Sequence, residues 1–392
     1  MFTAEQVQAL ETDLESIDAA LIYLLQQRIA LIGNSQFARG HALSLQQQLQ
    51  TRQACLKQYD VPEHLWETLV TGCTAAATLQ QSQSATLGTA RRIAVVGGRG
   101  VMGRFFCQRF TAAGHMVKVL ERDNWSSAAE LLADVDLVLL CVPLHLTEPL
   151  AYQVAQYLSP GTALADIASV KAPIVKAMLK AHQGPVMGLH PMFGPGVQSF
   201  MAQKVVVCPG RHDATFQWLL DLIEQDGGQL VMASTEEHDQ MMVVVQAVRH
   251  FSTLCLGVFL ARENIDINRS LEFASPIYRM EINMVSRLFA QDTALYADII
   301  MASDDRCQVV QRLVDTYQEI AQLFLGRKRE SLLNEFHAAH QVFCLESERA
   351  FSESNYLIKN LSDLLIASQL DTRASSQVPI QVSNRPHHEQ AA

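Results

Sequence analysis

Apolar positions fall into two rhythms along the chain. Up to residue 38, Val7, Leu10, Leu14, Ile17, Leu21, Leu24, Leu25, Leu31 and Ile32 recur at helical spacing, which predicts one long helix over 4–38. A loop near Gly40 leads to a second helix over 44–59, with Leu45, Leu49 and Leu56, and Pro62 opens a third over 62–79. One long and two shorter helices cannot bury their apolar faces alone, so this domain, 1–80, calls for a second copy. Residues 81–90, QSQSATLGTA, are small and polar and read as a linker.

At residue 91 the rhythm changes to short continuous apolar runs, the mark of strands covered on both faces. Strands are predicted at Ile93–Val96, Met116–Leu120, Asp136–Val142, Ala163–Asp166, Val186–Leu189, Gln203–Val207 and Gln229–Met232. Helices alternate with them at Thr147–Tyr157, Pro173–Ala181 and Asp213–Gln225. That alternation predicts an α/β domain, 91–234, with a doubly wound, mostly parallel sheet. From Thr235 the strand pattern stops, and 235–370 reads as a separate all-helical domain. The segment 371–392 is rich in Ser, Gln, Pro and His and reads as a disordered tail, with His387 and His388 solvated rather than metal-binding.

The first apolar run enters Gly98-Arg99-Gly100-Val101-Met102-Gly103, a G-x-G-x-x-G. Gly98 is read as the tight turn, Gly100 as the point where backbone meets a pyrophosphate, and Gly103 as the close helix–strand contact. The following helix offers its N-terminus to the anion and stops near Gly114. The next strand ends in Glu121, about 20 residues on, where a carboxylate binds ribose hydroxyls. Glu121 repels a 2′-phosphate and favours NAD, while the adjacent Arg122 keeps NADP open. Strand, turn, helix, strand and acid in order are far more specific than the glycines alone.

Composition narrows the class. A net charge of −10 over 392 residues argues against a nucleic-acid or anionic-membrane partner, and 49% apolar content supports sizeable cores. The most apolar stretch noted, Leu131–Leu146, is broken by Asp134 and Asp136 and reads as a buried strand with its loops. The first residues show no basic-then-apolar leader pattern. Eight scattered cysteines without a C-x-x-C read as buried, inert thiols of a reduced cytoplasmic chain, and no metal site is expected.

In an open α/β sheet the ligand lies off the carboxyl ends of the strands. Two strand ends carry unusual residues: DIASVK, with Ser169 and Lys171, and GLHPMFGP, with His190. A histidine there is placed to be a general base at neutral pH; the plainer reading is a histidine that orders the turn. The helical domain adds His238, Arg249-His250, Arg279, Arg287 and Tyr296. Arg279 and Arg287, eight residues apart, lie about 80° apart around a helix. They call for anion partners, either a ligand or Glu281 and Asp292.

At these residues the chain resembles the prephenate dehydrogenases, more fully the bifunctional chorismate mutase/prephenate dehydrogenases of enteric-type bacteria. GGRGVMG, DIASVK, GLHPMFGP, EHDQ, RHF, SPIYR, RLFAQD and LYADIIM stand in the family's order across 1–370. The resemblance implies NAD-dependent oxidative decarboxylation of prephenate to 4-hydroxyphenylpyruvate in tyrosine biosynthesis. It implies His190 as the base, with Ser169 near the substrate hydroxyl. Arg287 would hold a substrate carboxylate, and Lys171, His250, Arg279 and Tyr296 would complete the pocket or its surroundings. It also implies a homodimer through the helical domain and tyrosine feedback.

The same resemblance implies a chorismate-mutase-like fold for 1–80, whose site clamps a dianion with cations. Arg28 is kept, and Arg39, Arg52 and Gln53 stand at the family's other positions, but Glu11 replaces an arginine. Residues 1–90 carry four cations (Arg28, Arg39, Arg52, Lys57) against eight acids (Glu5, Glu11, Asp13, Glu15, Asp18, Asp60, Glu63, Glu67), a net of −4. The expectation is a weak or inactive mutase kept for dimerisation or regulation. Full bifunctionality, an arogenate substrate, a 3-hydroxy acid substrate and a non-catalytic NAD- or tyrosine-sensing dimer stand as alternatives.

Overall fold

The computed structural model describes residues 4–33, 45–83, 89–194 and 196–376. Two compact units emerge: Met1–Arg249 with Ala294–Cys307, and His250–Thr293 with Gln308–Ala392. Residues 235–249 and 294–307, read from sequence as part of a separate helical domain, thus belong with the sheet.

The first unit begins with helices Ala4–Gly33, Leu45–Gln58 and Glu63–Gln83. Val70, Cys73 and Ala77 of the third are buried, while Leu14, Ile17, Leu21, Leu24 and Leu31 of the first remain exposed along its apolar stripe. The third helix enters the segment read as linker; residues 84–88, like the loop expected near Gly40, lie outside the described residues.

The sheet has seven strands: β1 Arg92–Val96, β2 Met116–Leu120, β3 Leu137–Leu140, β4 Ala163–Asp166, β5 Val186–Pro191, β6 Lys204–Arg211 and β7 Gln229–Met232. Their order is β2-β1-β3-β4-β5-β6-β7. All neighbours are parallel except β5 and β6, which run antiparallel with a register shift at Val186/Met187. A parallel return needs a long crossover, usually helical, and the described residues of 192–203 hold no helix, so the chain reverses. β3, β4 and β5 are buried throughout. On one face Phe105, Phe106, Phe110, Phe200 and Phe216 form the core with Ile93, Leu139 and Leu189; on the other, Leu120, Leu132, Leu140, Val154 and Met178 do so. Each such side chain contributes about 1.5–3 kcal/mol by burial.

After β7, Ser234 caps a helix by accepting the Glu237 N–H at 3.0 Å. The helix runs Thr235–Arg262, with a wide π turn at Val243–Val248. It is long and apolar enough to cross a membrane by length and composition alone, with mean hydropathy 1.6 over its best window. Arg249 interrupts its apolar run, and Leu131–Leu146 contains the buried strand β3.

In the second unit, Gly257 lies against the Phe289 ring: a Cβ there would sit 2.2 Å from its Cε2. The last helix, Ser347–Ser376, continues into the segment read as tail, and 377–392 lie outside the described residues.

Candidate active site

The glycine turn is built as a phosphate cradle, with one role reassigned. The left-handed residue is Gly97, at φ 80°, not Gly98. Gly98 is needed for packing, since its Cβ would meet Val119 at 2.8 Å, and Gly103 because its Cβ would lie 2.1 Å from the Gly97 carbonyl oxygen. Gly100 caps the helix Val101–Ala112, whose first turn, with Val101 and Met102, follows the bend. At the end of β2, Glu121 Oε1 accepts the Arg99 backbone N–H at 2.6 Å, and Arg99 pairs with Asp123 at the surface. A backbone-lined turn, a helix N-terminus and a carboxylate beside them fit a dinucleotide that carries ribose hydroxyls.

Next to this cradle, the carboxyl ends of β4 and β5 carry the chemistry. His190 is 3% exposed. Its Nδ1 lies 2.7 Å from His238 Nε2, and His238 Nδ1 lies 2.8 Å from Asp239 Oδ1. With Asp239 ionised, one proton arrangement satisfies the chain: His238 Nδ1–H donates to Asp239, and His190 Nδ1–H donates to His238. His190 Nε2 then keeps its lone pair. The Gln246 amide reaches that nitrogen at 3.3 Å from the π turn, while Gln246 Oε1 is buried and unpaired.

The electrostatics agree with this assignment. Burial pushes His190 well below its usual value, and Lys171, His238 and Arg306 act the same way. Burial would raise Asp239, but hydrogen bonds from His238 and from the Lys171 and Ala172 backbones hold its carboxyl below the ordinary range. Those two N–H groups, at 2.8 and 2.9 Å, open the helix Ala172–Ala181, so Asp239 fixes the relay and that helix together.

Other expected site residues take different places. Lys171 is fully buried, its ammonium bound to Asp166 and, at 2.8 Å, to the Leu189 carbonyl. It therefore ties the ends of β4 and β5 together, among the surroundings of His190. Burial raises the Asp166 carboxyl against the pull of Lys171, and Asp166 Oδ1 stays unpaired. Ser169 is half-buried, and Tyr296 is half-buried in Thr293–Ile300 of the same unit. In the second unit, Ser275 and Pro276 start the helix Pro276–Phe289, on which Arg279 is half-buried and Arg287 exposed; His250 is buried. Ser169, Lys171, His190 and Tyr296 belong to one unit, and Arg279, Arg287 and His250 to the other.

Four members of the cluster were not assigned roles from sequence: His238, Asp239, Gln246 and Arg306. The EHDQ motif contained the signal for Asp239, beside a histidine at a helix start. In the N-terminal helices, Arg28 donates to Gln48 Oε1 at 3.0 Å and lies over the Trp66 ring, 5.5 Å from its centroid. Arg52 and Gln53 are exposed, and Arg39 lies outside the described residues.

Comparisons with known proteins converge. Residues 111–232 match the nucleotide-binding domain model of prephenate dehydrogenase, and 234–338 match its dimerization domain model. The T-protein of Enterobacter agglomerans is 36% identical over 91% of this chain and 98% of its own length. That of Haemophilus influenzae is 33% identical over 92% and 98%. Among solved structures, Aquifex aeolicus prephenate dehydrogenase, in complex with hydroxyphenyl propionate and NAD+, superposes with TM-score 0.55 at 17% identity. It covers 67% of this chain and 99% of that one, a likeness of fold. The chain belongs to the prephenate dehydrogenase family.

Proposed function

We infer that the protein is an NAD-dependent prephenate dehydrogenase, converting prephenate and NAD+ to 4-hydroxyphenylpyruvate, CO2 and NADH. The observation that carries this reading is the buried His190, neutral and with Nε2 free as a base because His238 and Asp239 hold its other nitrogen. The substrate's C4 hydroxyl takes the place of the Gln246 amide at Nε2. His190 removes the hydroxyl proton as the C4–O bond gains carbonyl character. The glycine turn and Glu121 would hold NAD, which when bound would supply the acceptor for the C4 hydride. Loss of the ring carboxylate as CO2 completes the aromatic ring, and the phenol oxygen regains a proton from His190. The family resemblance assigns Arg287 to a substrate carboxylate and Ser169 to the hydroxyl, and gives Tyr296, Arg279 and His250 as further candidate substrate-binding residues. The direct test is NADH formation from prephenate and NAD+ by the native chain and by His190→Asn. Loss in the variant supports the base; full activity in it would remove that assignment.

The dimerization-domain match and the exposed apolar helix Thr235–Arg262 support a homodimer. Tyrosine, which shares the 4-hydroxyphenyl group of the product, is read as a feedback inhibitor at this pocket. The N-terminal helices are read as a chorismate-mutase-like module of weak or absent activity. Glu11 stands where the family pattern has an arginine, and Arg28 is engaged by Gln48 and Trp66. Chorismate supplied with NAD+ and no other enzyme tests this: NADH appearing at the rate seen with prephenate would show a working mutase.

A further inference from the structure

Arg306 is the most unusual buried group in the first unit. It lies in the first turn of the helix Asp304–Leu325, and 1% of it is exposed. Its guanidinium donates to two backbone carbonyls, Ile299 at 2.6 Å and Ser169 at 3.4 Å. Among the described residues no carboxylate forms an ion pair with it; burial pulls its guanidinium below the ordinary value, and the field of Asp239 only partly opposes this. Burying a guanidinium on carbonyls alone is costly, and a neutral side chain would tie helix to loop more cheaply. The charge itself therefore has a use where it stands, at the ends of β4 and β5.

We propose that Arg306 is a positioning residue for the oxidation, holding the Ser169 loop by its carbonyl and placing a fixed positive charge at His190. The proposal rests on the reading of His190 as the base. The charged and titratable groups around His190 are Lys171, with Asp166 beneath it, His238, with Asp239 behind it, and Arg306; Gln246 faces it as a neutral amide. Lys171 is paired with Asp166 and His238 with Asp239, whereas Arg306 has its guanidinium on backbone carbonyls and forms no ion pair among the described residues, Asp239 acting on it through its field alone. The Arg306 charge disfavours protonation of the base and widens the pH range over which the base works.

The test compares Arg306→Gln and Arg306→Lys with the native full-length chain, using prephenate and NAD+ across pH. Removing the charge should move the acid limb of kcat/KM upward by about one pH unit. Arg306→Lys should keep the limb in place while kcat falls about tenfold, because one ammonium cannot reach both carbonyls. An unmoved limb in a folded Arg306→Gln protein, with only its thermal midpoint lowered, would overturn the proposal and leave a structural role. Should Arg306→Gln not fold, Arg306→Lys decides alone: native kcat refutes the positioning, and reduced kcat with an unmoved limb supports it. His190→Asn separates the two readings. If that variant stays active the base assignment fails, whereas a dead His190→Asn beside an unmoved limb condemns Arg306 only.

Discussion

The chain uses arginine in two contrasting settings. In the N-terminal helices, Arg28 is half-buried, held by an amide and an indole, with its Nε buried and unpaired. At the ends of β4 and β5, Arg306 is fully buried, both amino nitrogens are on carbonyls, and a histidine relay stands beside it. The first setting surrounds a cation with neutral side chains in a module of net charge −4. The second surrounds a neutral base with cations. A site that must hold a dianion needs converging charge, and one that must take up a proton needs charge that keeps the base empty. The second region carries the charge that the proposed base calls for; the first carries less than the proposed mutase-like reading of it would call for.

The largest expected effect is His190→Asn, which should lower kcat about a thousandfold with the fold intact by circular dichroism. Lys171→Met should follow, costing about 3–5 kcal/mol by leaving Asp166 buried and uncompensated; urea unfolding reads this directly. A loss below 1 kcal/mol would mean that Asp166 finds another partner. Gly103→Ala sets a methyl 2.1 Å from backbone oxygen and should destabilise by about 1–3 kcal/mol and weaken NAD+ binding, measured by calorimetry. In the other region Glu11→Arg should raise chorismate turnover above that of the native chain. No change would place the defect elsewhere in that module.

The smallest effect is in pH. His190 acts when neutral, and its folded value lies well below the ordinary 6.5 because of burial and nearby cations. Activity should thus hold as pH falls through 6.5 and drop only below it. A limb centred at 6.5 or above would mean the base is solvated in the working enzyme.

The strands were legible because burial on both faces leaves unbroken apolar runs; all seven appear at the expected places, and five of the six strand pairings are parallel, as the alternation implies. The reversal at β6 was not, since it follows from the absence of a helix between two strands that look alike in sequence. The glycine run was legible as a dinucleotide turn, but which of Gly97 and Gly98 takes positive φ is decided by the backbone path. His190 announced itself by its strand end. Arg306 and Gln246 did not, because each meets the site from more than fifty residues away and neither sits in a run that looks chemical.

The wide turn at Val243–Val248 has a history written in its geometry. A π turn holds one residue more than an α turn, so it is a one-residue insertion absorbed within a helix instead of expelled as a loop. Absorbing an extra residue shifts the helix register locally by about 100° against a regular helix. Gln246 faces the base because of that extra residue. Deleting Val244 would give a more regular, more stable helix whose amide points elsewhere, a case in which repairing the backbone disarms the site.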